Sequence, residues 1–411
     1  MSGPRLLVVV GDIPWPARSG GRVDVWRRLQ ALSAAGYRLA LLCWYDHGRV
    51  ETPDDHVREA LGTVCEAVRW YPIRRSPAEI VRRALHLGRL PSHVASRRVT
   101  APMGELAAWV RAFGPQAVLL DGLYGVAVAR PLAAAAGVPL LYRSHNIEHQ
   151  YQAGQCARER RPVRRLGLQA NLIGLERVES ELMRQADWVL DISCDDLAHW
   201  RARGVSRISW LPTSVDAGFL GALRRGPPAG DPGCDLLYFG NLHTPNNLEA
   251  LRWLVDEVLA RVDDPGLRVR VAGSAPTAEA RACVARDPRI ELRPDPADMA
   301  AEIAAARMLV NPMRSGSGVN LKSVEMLFTD AELLSSPVGV GGLSPEARAC
   351  FRVEDGAQGW IEALRARGTA RPDLAARALA RAAYAPQAGV REIDAVLRRL
   401  GVRPSAGVRE A

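Results

Sequence analysis

The stretch RMLVNPMRSGSGVNLKSVEMLF, residues 307–328, runs from a short apolar segment through a glycine turn into a segment of helical character. RMLVNP reads as a strand ending at Pro312, RSGSG turns the chain, and VNLKSVEMLF continues as a helix. The same order recurs on both sides. Upstream lie the strand CDLLYFG (234–240), the amphipathic helix NLEALRWLVDEVLARV (247–262), and the strands LRVRVAG (267–273) and RIELRP (289–294). Strand and helix signals alternate in the first half as well: LLVVV (6–10), the helical VDVWRRLQALSAAG (23–36), RLALLCWY (38–45), AVLLD (117–121), VPLLYR (138–143) and ADWVLDIS (186–193). Alternation of this kind means parallel sheets with helices on both faces, and two runs of it mean two doubly wound α/β domains. GALRRGPPAGDPG (221–233) reads as a linker, and two Arg/Ala-rich helices close the chain.

The chain has 411 residues, enough for two domains of about 200 residues each. It is 48% hydrophobic and 24% charged, as a globular protein is, and carries a formal charge of +9. The Arg and Ala content reads as compositional bias, so the charge alone names no ligand. Seven scattered cysteines, odd in number and without a CxxC pair, suit free thiols in a reducing compartment. LLVVV, followed at once by Gly11 and Asp12, is too short for a signal peptide. No run approaches about 18 apolar residues. A cytoplasmic location follows as the expectation.

Lys322 is the sole lysine; the other 53 of the 54 basic side chains are arginines. It follows the Gly-Ser-Gly turn and stands three residues before Glu325, so both lie on one helix face. Ser317 reads as the N-cap. Unpaired amides at a helix start favour an anion, glycines admit it to the backbone, and a lysine adds a compact charge. The competing reading is a capped helix with a surface ion pair worth about 0–1 kcal/mol.

RSGSGVNLKSVEM followed by SSPVGVGGL (335–343) resembles the donor-site signature of retaining glycosyltransferases of family four, which have the GT-B fold. LPTSVDAGF (211–219) is similar to that family's domain-junction segment, and YFGNLHTPNNLEALRWLVDEV (238–258) to the opening of its second domain. The likeness is greatest to bacterial enzymes of cell-surface polysaccharide and natural-product assembly. It implies two Rossmann-like domains facing across a cleft: 1–213 on the acceptor side, 214–384 binding nucleotide-sugar, and 385–411 as a last helix packing back on the first domain. By the same resemblance Glu325 takes the ribose, and Lys322 faces the diphosphate. Gly316, Ser317, Gly318 and Val319 approach sugar and phosphates, with Gly240, Asn241 and Arg314 beside them. The base lies against Leu292 and Arg293.

Three positions depart from the pattern. The family's Glu-x7-Glu would place a Glu at Ser317; Asp330 stands where Gly is expected; and the loop after Gly240 offers Asn241, His243, Asn246 and Asn247 in place of basic pairs. Phosphate binding then leans on Lys322 and Arg314.

In the first half, Gly20 and Gly21 precede a helix and resemble the family's glycine pair at the diphosphate or acceptor. They do not form GxGxxG, which speaks against a dinucleotide site. LLYRSHNIEHQYQ (140–152) places Arg143, Ser144, His145 and Asn146 at a strand end, where doubly wound sheets present ligands. A neutral imidazole can bond a sugar hydroxyl or accept its proton, and the resemblance sets His145 near the transferred sugar. Asp121 and Tyr124 are weaker candidates. His145 and His149 are spaced i, i+4, but no third ligand stands out, so no metal is expected. Five arginines between Arg158 and Arg165 suit anionic headgroups, or else a solvated helix face. No nucleic-acid module is present.

The resulting expectation is a nucleotide-sugar-dependent hexosyltransferase-type enzyme acting on an acceptor hydroxyl with retention, without cofactor, and with peripheral contact to the inner membrane face. The acceptor is a saccharide, a lipid-linked saccharide or a natural product. A nucleotide-sugar epimerase and a non-catalytic nucleotide-sugar-binding partner remain the alternatives.

Overall fold

The structure, a computed structural model, describes residues 3–17, 19–47, 52–74, 76–86, 88–227, 229–369 and 372–402. The chain divides into two units, Met1–Pro212 with Gly389–Ala411, and Thr213–Ala388.

The first unit holds a seven-stranded parallel sheet: β1 (Arg5–Val10), β2 (Arg38–Asp46), β3 (Ala67–Ile73), β4 (Ala117–Asp121), β5 (Leu140–Ser144), β6 (Trp188–Asp191) and β7 (Ile208–Trp210), in the order β3-β2-β1-β4-β5-β6-β7. Helices cover both faces, so interior strands such as LLVVV are buried on each side and carry continuous apolar runs. Val9, Leu120 and Tyr142 pack into one core, Val8, Leu119 and Leu141 into the other. The edge strands β3 and β7 are partly exposed or short and carry no such run, which is why the sequence pattern passes over them.

The second unit holds a six-stranded parallel sheet: β8 (Cys234–Asn241), β9 (Val269–Ser274), β10 (Ile290–Pro294), β11 (Ala306–Asn311), β12 (Glu332–Ser335) and β13 (Arg352–Val353), in the order β10-β9-β8-β11-β12-β13. Strand order reverses between β1 and β4 in the first unit and between β8 and β11 in the second. Doubly wound sheets open a crevice for ligands at that point, outside the carboxyl ends of the strands.

Three expectations are corrected. Residues Ala217–Arg225 form a helix capped by Asp216 inside the second unit, so 221–233 is not wholly linker. The helix expected over 247–262 is α-helical only from Pro245 to Trp253, then widens to a π turn at Leu254–Val258 and tightens at Leu259–Arg261. The change of pitch points Leu254, Val255, Val258 and Leu259 all into the core. The helix after the glycine turn is Leu321–Leu327, capped by Asn320 and not by Ser317.

The last helix, Pro386–Arg399, buries Ile393, Val396 and Leu397 in the first unit's core, and the Tyr37 hydroxyl bonds Asp394. Residues 403–411 lie outside the described ones. Among the described residues no helix is long and apolar enough to cross a membrane.

Candidate functional site

In the second unit the candidate residues gather at the carboxyl ends of β8 and β11. Lys322, in the first turn of helix Leu321–Leu327, does not project into solvent; it is 9% exposed. Its Nζ donates to Asn247 Oδ1 at 2.9 Å and sits 4.6 Å from the centre of the Tyr238 ring. Asn247 Nδ2 donates to the Asn241 carbonyl at 2.8 Å, which fixes the amide's orientation, and the Tyr238 hydroxyl donates to the Asn247 carbonyl at 2.8 Å. The ammonium is thus held by one neutral oxygen and one aromatic face. Burial brings its pKa down to about 7, against a smaller upward pull from Glu325.

Gly240 makes this seat possible. Its φ is +148°, and a Cβ there would lie 3.1 Å from both Lys322 Cε and Nζ and 3.3 Å from Asn247 Nδ2. Gly240→Ala is expected to cost about 1–3 kcal/mol, read as a lowered thermal midpoint. In a double-mutant cycle with Lys322→Ala, the share due to the side-chain contact vanishes and the share due to φ remains.

The turn is anchored beneath by a buried polar knot. Asn311 Nδ2 donates to Ser323 Oγ at 2.9 Å, Ser323 Oγ donates to the Gly339 carbonyl at 2.6 Å, and Ser336 Oγ donates to the Met313 carbonyl at 2.5 Å. Gly339 has no room for a side chain, since a Cβ would fall 2.3 Å from Ser335 Oγ. SSPVGVGGL therefore ties the end of β12 to β11 and the helix. Above the knot, Gly316 and Ser317 are exposed, and Gly318 and Val319 partly so. Ser315 bonds Glu249. Arg314 donates to the Asp355 carbonyl at 2.7 Å and lies 4.8 Å over Trp253, so its guanidinium is already engaged. Leu292 and Arg293 lie in edge strand β10, with Arg293 paired to Glu291 at 2.8 Å.

In the first unit, His145 stands just past β5, and its Nε2 lies 2.5 Å from Asp121 Oδ1 at the end of β4. Asp121 belongs to a buried network. Arg28 donates to Asp121 Oδ2 and to Asp24 Oδ2, each at 2.8 Å, and Arg143 donates to Asp24 Oδ2 at 2.6 Å and to the Leu211 carbonyl at 3.2 Å. Two guanidiniums and two carboxylates share a buried site. Burial alone would raise both aspartates, but the arginines outweigh it and hold Asp24 and Asp121 below the usual carboxylate range. Arg143, expected in a ligand loop, is fully buried in this network. Its side chain leaves the strand end for the interior, where the Asp24 carboxylate stabilises it.

Around the same edge, Glu179 accepts the amides of Glu148 and His149 at 2.7 and 3.1 Å and the His149 Nδ1 contact at 2.6 Å, capping helix Glu148–Arg158 from outside. His145 and His149 thus answer to different carboxylates. Tyr124 donates to Glu148 Oε2 at 3.0 Å. Asn146 is partly exposed, and its carbonyl accepts from Ser144 Oγ at 3.3 Å. Gly20 and Gly21 are exposed at the start of helix Gly20–Ala34, directly before Arg22, which pairs with Asp12 at 2.7 Å. Sequence reasoning did not single out Tyr238, Asp24 or Arg28. Each sits within an apolar strand or an ordinary helix, and only three-dimensional proximity gives it a role.

Two doubly wound parallel sheets, each with its polar groups gathered at a strand-order switch, are the sheets of the GT-B fold. Residues 233–367 match the family described as Glycosyl transferases group 1, which supports reading the chain as a glycosyltransferase. A Klebsiella pneumoniae protein, named only as an uncharacterized 44.6 kDa protein in the cps region, is 26% identical over 358 residues, 82% of this chain and 84% of that protein. Anabaena Alr3699/HepE, solved with UDP, superposes with a TM-score of 0.65 at 13% identity, covering 96% of this chain and 100% of that one. Sucrose-phosphate synthase from Thermosynechococcus elongatus does so with 0.64 at 18% identity, over 97% and 99%.

Proposed function

We propose that the protein transfers a sugar from a nucleoside diphosphate to an acceptor hydroxyl, with retention at the anomeric carbon. The observation that carries this reading is Lys322, held beneath Gly240 by Tyr238 and Asn247 at the β8/β11 switch. A buried cation beside a glycine-rich turn suits an anion that arrives and leaves. As the bond from the sugar to the diphosphate breaks, negative charge grows on the leaving oxygens. A preorganised ammonium with the exposed backbone of Gly316–Gly318 stabilises that charge.

Glu325 takes the ribose, Leu292 and Arg293 flank the base, and Arg314 adds charge by exchanging Asp355 for phosphate. His145, oriented by Asp121, bonds a hydroxyl of the transferred sugar or the acceptor. The acceptor attacks on the leaving-group face, and its proton passes to the departing diphosphate, so no protein nucleophile is needed. That Anabaena HepE was solved with UDP and with UDP-glucose makes uridine the first base to test. The acceptor is a saccharide, a lipid-linked saccharide or a natural product, and contact with a membrane surface belongs to the same reading.

The test is incubation with a panel of nucleotide-sugars, with and without acceptors. Release of nucleoside diphosphate that requires an acceptor supports the proposal. Isomerisation of the sugar without acceptor, or tight binding with no turnover under any pairing, overturns it. Because Lys322 and the turn carry the charge in this mechanism, EDTA is expected to leave the rate unchanged within about twofold, whereas metal dependence would require a different charge acceptor.

A further inference from the structure

Two helices of the first unit have inverted polarity. In Pro77–Ala84 the one buried residue is Glu79, while Ile80 and Val81 are 55% and 59% exposed, and Leu85, just beyond, is 76% exposed. In Pro162–Leu172 the one buried residue is Asn171, while Val163 and Leu166 are 85% and 68% exposed. Ile173, in the following turn, is 46% exposed. Each helix therefore turns a polar residue toward the protein and two large apolar residues, Ile80 and Val81 in one and Val163 and Leu166 in the other, toward solvent, while Leu172 at the end of the second packs against the core. Folding alone rewards the opposite arrangement.

The two helices share a neighbour. Helix Ser92–Thr100 packs against both, and Asn171 Nδ2 lies 2.7 Å from His93 Nε2. Arg177 donates to the Gly88 and Arg89 carbonyls at 2.8 and 2.7 Å, tying the end of the first segment to the helix that follows the second. The exposed apolar groups thus belong to one region. Exposed Arg74, Arg82 and Arg89 accompany the first helix, and Arg160, Arg161, Arg164 and Arg165 the second. The acidic side chains in these two segments are Glu79, which is buried against Arg83, and Glu159, which accepts the Arg161 amide.

We infer that this surface docks on an anionic lipid bilayer, with Ile80, Leu85, Val163 and Leu166 entering the headgroup boundary and the arginines pairing with lipid phosphates. Charge complementarity selects the occupant: exposed apolar side chains accompanied by exposed guanidiniums match an interface that is negative outside and apolar beneath. A protein partner of ordinary surface would leave most of these cations facing neutral groups. The inference names the surface for the membrane part of the reading above and is independent of the donor chemistry.

The test is sedimentation of the full chain with phosphatidylcholine vesicles containing about a quarter phosphatidylglycerol, against pure phosphatidylcholine. Binding is expected to the anionic vesicles, weaker as salt shortens the Debye length below about 10 Å. Val163→Glu with Leu166→Glu, and separately Ile80→Glu with Leu85→Glu, should each reduce partitioning about tenfold or more. Arg160→Glu with Arg164→Glu should remove the preference for anionic lipid. All six side chains are exposed, so an unchanged thermal midpoint certifies the fold without using nucleotide binding, and the result stands whatever the donor proves to be. Failure to sediment, sedimentation indifferent to all three variants, or a dimer in light scattering that Leu166→Glu dissociates would each overturn the inference.

Discussion

Replacing Lys322 with alanine is expected to weaken binding of a nucleoside diphosphate by about 10- to 100-fold, the range for losing one charge-assisted bond to an anion. The larger part of the prediction is in its pH dependence. In the free protein the Lys322 pKa is about 7, because burial penalises the ammonium. A bound diphosphate favours the charged form and raises that value. Above about pH 7 the complex therefore holds a proton that the free protein lacks, and binding takes one up. Affinity should fall by up to about tenfold per pH unit from 7 to 9, a window in which the ligand's terminal phosphate, with its pKa near 6, is already largely ionised. Calorimetry in buffers of different ionisation enthalpy reads the uptake directly. Lys322→Ala should bind weakly and without this slope. A slope that survives in the variant would assign the proton elsewhere.

The same burial makes a statement about stability. A lysine in an unfolded chain titrates near 10.4. Below about pH 7 both states are charged, so the folded state bears the whole cost of an ammonium held by one amide oxygen and one ring. That cost is relieved as pH rises from 7 toward 10.4, where the folded group is neutral and the unfolded one is still charged. Lys322→Met, of similar volume, should therefore raise the thermal midpoint near pH 6 while abolishing the proton-linked binding. A residue that costs stability when empty and gains a partner when loaded acts on a ligand, whereas a lysine serving only the fold would lower the midpoint on removal.

How far the sequence reaches can be judged from such residues. RSGSGVNLKSVEM and the strand ends at Asp121 and His145 were legible, because a short apolar run ending in glycine or a polar cluster marks a carboxyl edge in any parallel sheet. The direction a side chain takes from that edge was not legible. Arg143 and His145 are two residues apart, yet one turns inward to Asp24 and the other stays at the surface beside Asp121. Likewise the sequence sets Lys322 toward a diphosphate but does not say along which wall it lies, and the structure lays it along Tyr238 beneath Gly240. Asn320 displaces Ser317 as cap because its Oδ1 accepts the Lys322 amide at 3.1 Å, which also places Lys322 in the first turn. Strands β12 and β13, of four and two residues, are too brief to leave a period in the sequence; β11 and its neighbours impose their pairing.

The second large effect is expected at Asp121. Asp121→Asn leaves the Arg28 and Arg143 guanidiniums to share Asp24 alone in a fully buried site, and an uncompensated buried charge costs about 3–5 kcal/mol. That loss would be read first as a lowered midpoint, with turnover falling for the uninformative reason that less protein is folded. A pairing separates the two. Arg28→Met in the same chain removes the surplus cation and leaves Asp24 with Arg143, which donates to both its oxygens at 2.6 and 3.4 Å. The double variant should recover most of the stability. It should not recover turnover, since His145 Nε2 still lacks the carboxylate 2.5 Å away that fixes its ring and tautomer. His145→Ala makes the matching test from the other side. The network's four charges stay paired, so folding and nucleoside diphosphate affinity should hold within about twofold, while turnover drops by about 100- to 10,000-fold, the range for a positioned acid–base group. If His145→Ala keeps its turnover, or if the double variant regains activity together with stability, then Asp121 serves the network alone and the imidazole takes no part in the transfer.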